Sequence, residues 1–479
     1  MSIRLGVHAL TRFASSLDWD SHARDGDHPP VELSAAVVDS RRVGPGMLFA
    51  ALPGRFGDGH DYLEDAVDRG STVLLVDSGR VGVNRPTLDR LQNRARILAV
   101  SDVLSALQGL AAEHLDRNTS AIRVGITGSN GKTSTKEMLS AILSRVGPTF
   151  RSEGNLNSEI GVALAALAIE PAHRYAVLEM AMDHPGEMVQ LARIVRPMHA
   201  VITNIGDAHT ELVGGRDRIA LEKRMIFTQT PSDGYIYLPA DDEYVSVLAD
   251  PAFLASLQAT PVYVGRRTVE GFEGYETRGI TGGVLSYRGR SIRIRLPGAF
   301  VADNALCAIA VAENLGVSID AIASGLESVR PLFGRGEVHE GRVTVLSDCY
   351  NANPQSMKGA LQVVAGSEIE GRSVLIIGDM KELADSRLQH EALGRAIARM
   401  EPQPAAVIFI GPESEYAFAA ARSDGCRAET VHSPNAHEAE DAVRRLVRDG
   451  DTVLLKGSRS IELERLLPVL GVEGGGHVS

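Results

Sequence analysis

The sequence predicts an α/β protein of three domains, a small N-terminal one followed by two larger α/β units. Its 479 residues make about three domains at the usual ~150 residues each. Beyond residue 120, short apolar runs that end in polar residues alternate with helical stretches, the pattern of buried parallel strands joined by crossover helices. That alternation stops and restarts after Gly334, which separates two sheets. Apolar residues are 44% and charged residues 23%, the balance of an ordinary globular chain rather than a disordered or fibrous one.

In chain order, HARDGDHPP (22–30) is polar and breaker-rich and reads as a loop. GPGMLFAALPG (44–54) and STVLLVD (71–77) read as strands bounded by turn residues. A helix is predicted from Val103 to His114, with Leu104, Leu107, Leu110 and Ala111 on one face, linking the first domain to the second. IRVGIT (122–127), YAVLEMA (175–181) and HAVITNIG (199–206) are the strands of the second unit. VTVLSDCY (343–350), SVLIIGDM (373–380), AAVIFIG (405–411) and DTVLLKG (451–457) are those of the third, with helices at 388–400 and 436–448. The tail GGGHVS is expected to be flexible.

A formal net charge of −12 argues against nucleic acid as the main partner, since such binders carry a basic face. Cys307, Cys349 and Cys426 are odd in number and form no CxxC pair, which fits a reducing, cytoplasmic compartment. Arg4 and Arg12 interrupt the opening MSIRLGVHALTRF, so no signal peptide is expected. The longest apolar stretch, 160–169, falls well short of the ~18 residues of a membrane span.

The strongest local signal is GITGSNGKTS, residues 125–134, entered by a strand and left by an amphipathic helix carrying Met138, Leu139, Ile142, Leu143 and Val146. Gly128 and Gly131 let the backbone N–H groups of Ser129, Asn130 and their neighbours turn toward a phosphate at a helix N-terminus. Lys132 can neutralise the phosphates, and Thr133, followed by Ser134, can offer a hydroxyl to magnesium. Strict P-loop spacing needs glycine at 126, where this chain has Ile126. Glu179 interrupts an apolar run, and a charge buried there needs a partner or a metal. His209 follows another strand, at the edge where open α/β sheets bind ligands, though a lone histidine there is more often structural. Lys223 lies in RIALEKRMIF, where composition does not separate a solvated lysine from a buried one. Asp348, Asn351, Asn353, Asp379 and Lys456 follow successive apolar runs; each alone could be a turn residue, but together they suggest a ligand edge.

The pieces DSRRVGPGMLFAALPG, DGH (58–60), GITGSNGKTSTKEML, GNLNSEIG (154–161), EMAMDHPGEM (179–188), TNIGDAH (203–209), DCYNANPQSM (348–357), GDMKEL (378–383) and LKGSRS (455–460), in this order, resemble the Mur ligases, ATP-dependent amide-forming enzymes of peptidoglycan synthesis. The resemblance runs from about Asp39 to Ser460, and DCYNANP with GDMKEL is similar to the branch that adds a dipeptide. It implies a UDP-muramoyl substrate-binding domain over 1–106, a central P-loop mononucleotide-binding α/β domain over 107–330 and a C-terminal Rossmann-like α/β domain over 331–479. It implies ATP, two magnesium ions, UDP-N-acetylmuramoyl-tripeptide and D-alanyl-D-alanine as cofactors and partners of a cytoplasmic monomer, with no nucleic acid and no membrane insertion.

By the same resemblance, Lys132 serves the phosphates, Thr133 the first magnesium, and Glu179 with His209 a second. Lys223 matches a lysine that many relatives carry as a CO2-derived carbamate, which would also face metal. Asn304 matches an adenine contact, Asp348 a ribose contact, and Arg335 an arginine brought to the γ-phosphate by the last domain. Ser40, Arg41 and Asn155 are candidates for the UDP-muramoyl side, and Asn351, Asn353 and Lys456 are further substrate-binding candidates in the last domain. The chain departs from the usual family residues at Ala163, Ala181, Met182, Asp183, Arg224, Met225, Phe300 and Cys349. Of these, Asp183 and Arg224 are expected to change charge near the site, which leaves open a Mur-like ligase acting on other small molecules. A nucleotide-binding protein without catalysis is disfavoured, because Lys132, Glu179 and His209 are all present.

Overall fold

A computed structural model describes residues 3–5, 31–54, 57–207 and 214–472. The predicted loop at 22–30 and the tail GGGHVS lie outside the described residues. The N-terminal sheet has four parallel strands in the order Ala36–Val37, Met47–Ala50, Ser71–Asp77, Arg96–Val100. Strand side chains alternate between faces, and Ser71–Asp77 shows the consequence. Leu74 and Val76 enter a core with Phe49, Leu63 and Leu88 on one side. Val73 and Leu75 enter a second core with Leu107, Leu110, Val162 and Leu191, residues of the following domain. The first two domains therefore share a hydrophobic core. The connecting helix is Val103–Asn118, longer by four residues than its apolar face alone predicts, and the Asp102 carboxylate caps it by accepting from Ser105 N at 2.9 Å.

The central sheet has six parallel strands in the order Thr260–Val264, Tyr235–Pro239, His199–Ile202, Ile122–Thr127, Tyr175–Glu179, Thr149–Arg151. The chain leaves Ile122–Thr127 toward one edge and later returns to build the other. A crevice therefore opens at the carboxyl end of Ile122–Thr127. Out of it runs the helix Lys132–Leu143, with Met138, Leu139, Ile142 and Leu143 fully buried. Gly325, in the helix Ile319–Ser328, allows close packing there: a Cβ would lie 2.4 Å from Ile142 Cα.

An antiparallel sheet, Phe272–Thr277, Gly283–Tyr287 and Arg290–Ile294, adds to this domain and was not foreseen. Its tight turn is Arg288-Gly289, both at positive φ (46° and 70°). The sequence signals such hairpins most clearly with Asn-Gly or Asp-Gly, and arginine in the first position hides it.

The last sheet orders its strands Glu337–Glu340, Thr344–Asp348, Thr452–Lys456, Ser373–Gly378, Ala406–Ile410, Glu429–Ser433, all parallel except the edge strand Glu337–Glu340. Register pairs Asp348 with Lys456 at neighbouring carboxyl ends. Among the described residues no helix is long and apolar enough to cross a membrane.

Candidate active site

The two larger domains face each other across a cleft of about 1610 Å³. On the central side, the 128–131 turn takes its shape from two glycines. Gly128 sits at φ +148°, and a Cβ there would lie 1.9 Å from Thr203 Oγ1. Gly131 sits at φ +80°, with its Cβ position 2.1 Å from Asn304 Oδ1. Either side chain would displace the loop, whatever occupies position 126; Ile126 is simply a buried strand residue. Asn204 fixes the loop: Ser129 N donates to its carbonyl at 3.0 Å and Asn130 N to its Oδ1 at 3.0 Å. Those two N–H groups are thus already engaged. Gly131 caps the helix without a side-chain bond, so the helix N-terminus faces the cleft.

Lys132 Nζ donates to Gly128 O at 2.8 Å and Ser129 O at 3.3 Å. Burial holds its pKa below the ordinary lysine value, against the pull of Glu179 and with help from Arg335. Thr133 Oγ1 donates to Glu179 Oε2 at 2.7 Å, and Asn157 Nδ2 to Glu179 Oε1 at 2.8 Å. Burial pushes the Glu179 carboxyl upward, but Lys132, Lys136, Arg335 and the Asn157 bond outweigh it and leave it below the usual carboxylate value. Behind it, the buried Lys136 Nζ donates to Ser152 O at 2.7 Å, and Ser152 Oγ accepts from Glu179 N at 3.1 Å.

Lys223 is 1% exposed. Burial and the charge of Lys132 depress its amine far below the ordinary range, opposed by Asp183 and Glu222. His209 lies outside the described residues. Among those described, no three His, Cys, Asp or Glu side chains converge as a metal cage.

The C-terminal wall carries Arg335, whose guanidinium carbon stands 3.9 Å from the Tyr350 ring centroid. Lys456, buried, donates to Asp348 Oδ2 at 2.7 Å and Asn351 O at 3.2 Å, and so holds that wall together. Asn353 Oδ1 accepts from Ser356 N at 2.9 Å and caps the helix Pro354–Ala365. Asn304 Nδ2 is buried without a partner at the edge of the cleft. Asn155, Asn351, Ser134 and Asp348 line the cleft as well. Ser40 and Arg41 do not: Ser40 is buried in the N-terminal domain, and Arg41 pairs with Asp39 at 2.7 Å. Asp379 also stands apart, buried against Lys381 Nζ (2.8 Å) and Ser414 N (2.7 Å).

Asn157 and Lys136 were not singled out from the sequence. GNLN offers two asparagines and its spacing does not choose between them, while Lys136 was legible only as an i+4 neighbour of Lys132. The departures sort by position. Ala163 and Met182 are core residues, and Met225 packs on that core. Ala181 N donates to Asn157 O, and Cys349 is buried beside Ser347. Ala181, Asp183 and Phe300 line the cleft. Arg224 does not change its charge, contrary to expectation: it lies 4.3 Å from the Phe253 ring centroid and donates to Val247 O at 3.1 Å.

A glycine-shaped turn at a helix N-terminus, its lysine and threonine beside a buried carboxylate, and a second α/β domain opposite define a P-loop protein whose site is shared between domains. The chain belongs to the Mur ligase family. The family's catalytic domain matches residues 33–115, the Mur ligase middle domain 126–312, and the glutamate ligase domain 334–459. It is 36% identical to the UDP-N-acetylmuramoyl-tripeptide–D-alanyl-D-alanine ligase of Treponema pallidum, over 91% of this chain and 93% of that one. Among solved structures it is similar to MurF from Acinetobacter baumannii (TM-score 0.83, 29% identity, 98% of both chains). It is also similar to the MurF ligase of Thermotoga maritima in complex with ADP (TM-score 0.73, 26% identity, 91% of this chain and 96% of that one).

Proposed function

We propose that the chain is an ATP-dependent ligase that joins D-alanyl-D-alanine to UDP-N-acetylmuramoyl-tripeptide in peptidoglycan synthesis, a cytoplasmic reaction of a monomeric enzyme. The observation that carries the reading is the Thr133–Glu179 contact beside Lys132 at the floor of a cleft between two domains. A carboxylate is a poor acylating agent, so the reaction needs activation. The terminal carboxylate oxygen of the tripeptide attacks the γ-phosphorus of ATP and ADP leaves. The dipeptide amine then attacks the acyl carbon, loses a proton, and phosphate departs with the bridging oxygen.

Each residue has a physical task in this scheme. Lys132 leaves its loop carbonyls for the phosphates, and Arg335 meets the charge on the transferring phosphoryl group from the other domain. Asn304, with an unpaired Nδ2, suits a ring acceptor such as adenine, and Asp348, set by Lys456, suits ribose hydroxyls. Magnesium fits the donors present, because Thr133 and the ionised Glu179 offer hard oxygens beside a phosphate site. His209 and a carbamylated Lys223 would complete a second ion's shell. When bound, magnesium would neutralise phosphate charge. The buried, neutral-leaning Lys223 amine is the form that takes up CO2.

Asn155, Ser40 and Arg41 are assigned to the UDP-muramoyl side, and Asn351, Asn353 and Lys456 to the dipeptide side, the last two by fixing the wall. Closure of the last domain excludes water from the acyl phosphate. The residues that depart from the family do not by themselves favour a different substrate: Ala163, Met182 and Cys349 are core residues, Met225 packs on the core and Arg224 turns to Phe253, which leaves Ala181, Asp183 and Phe300 at the cleft.

The test is phosphate release with ATP, magnesium, tripeptide donor and dipeptide, omitting one component at a time. Release is expected only from the complete mixture, with the pentapeptide product seen by mass. Tight ATP binding without turnover on these substrates would contradict the assignment.

A further inference from the structure

Three side-chain amides join the central and C-terminal domains beside the phosphate-binding turn. Asn130 Nδ2 donates to Gln355 Oε1 at 2.7 Å, and Asn353 Nδ2 donates to Asn130 Oδ1 at 2.7 Å. Both ends of the Asn130 amide therefore engage the last domain. Its main chain, in contrast, is held by the central domain: the N–H by Asn204 Oδ1, and the carbonyl by Thr203 Oγ1 at 2.6 Å and Asn204 Nδ2 at 3.0 Å. On the other side the grip is equally fixed, because Asn353 and Ser356 form a reciprocal capping box at the start of Pro354–Ala365. Gly206 leaves room for this contact: a Cβ there would lie 2.6 Å from Gln355 Oε1 and would push that amide from its present position. Asn130 sits between Ser129 and Gly131, so a shift of the turn on meeting phosphate moves the clamp, and the reverse holds.

We propose that Gln355 is a positioning residue that, through Asn130, clamps the last domain onto the phosphate-binding turn and so sets Arg335 and Asp348 over the cleft. The inference rests on reading the cleft as the ATP site. Its test uses the full chain with Gln355→Met, which keeps length and bulk and removes the acceptor. One arm measures phosphate release; the other measures compaction by small-angle scattering with magnesium and a non-hydrolysable ATP analogue.

A neutral hydrogen bond of this kind supports an effect of roughly three- to tenfold. The expected result is a kcat lowered by that factor, KM for ATP within about twofold, weaker compaction, and an unchanged thermal midpoint, because Gln355 is exposed. Wild-type kcat and compaction in the variant, or a raised KM with kcat intact, would overturn the clamp, as would a wild type that does not compact with nucleotide. A wild type that compacts yet releases no phosphate contradicts the ligase reading and leaves the scattering comparison to decide the clamp.

Discussion

Replacing Lys132 by methionine should lower phosphate release about 10²–10³-fold, the usual cost of removing one preorganised charge from a transition state that gathers negative charge. Methionine keeps the aliphatic stem and removes the ammonium. The bonds lost are those to Gly128 O and Ser129 O, two buried residues of a turn that Asn204 still holds through Ser129 N and Asn130 N. The fold should therefore survive. Steady-state kinetics with a melting curve checks both halves: activity collapses while the melting temperature stays within a few degrees. A loss below about tenfold would remove Lys132 from the role expected of a phosphoryl-transfer lysine.

Lys223→Ala should abolish activity to a similar degree, about 10²-fold or more, and a short carboxylic acid added to the medium should restore part of it. The reasoning starts from burial. An ammonium sealed away from water, with the charge of Lys132 acting on it, is destabilised, which shifts Lys223 toward the neutral amine relative to an exposed lysine near ~10.4. A neutral amine adds CO2 and loses a proton, and in the proposed scheme the carbamate oxygens would be the negative group facing a second metal. Alanine leaves space where formate or acetate can stand in for those oxygens. Failure of rescue, together with no CO2 adduct in the mass of the wild-type protein under mild conditions, would exclude the carbamate.

Much of this site was legible before the fold was known. Glu179, Asp348 and Lys456 stand at the carboxyl ends of runs such as YAVLE and TVLLK, whose apolar character commits them to buried strands. The polar residue that ends such a run must then lie at a sheet edge. GSNGKT carried its own geometry, since Gly128 and Gly131 adopt backbone angles that other residues avoid. Lys223 was different. Its burial comes from the way Arg216–Lys223 and Arg224–Gln229 pack against the core that holds Ile219, Ala220, Ile226 and Phe227, and composition does not encode that. The position of Arg224 is hidden for the same reason, because Phe253 is distant in sequence and only folding brings it near. The Asn130–Gln355 clamp joins residues 225 positions apart and left no local trace.

The central claim is that ATP activates the donor carboxylate as an acyl phosphate. Donor labelled with ¹⁸O in its terminal carboxylate tests this most directly, with the phosphate and nucleotide products weighed by mass spectrometry. The account predicts ADP together with phosphate carrying one labelled oxygen per amide formed. AMP bearing the label, or unlabelled phosphate released alongside product, would contradict it.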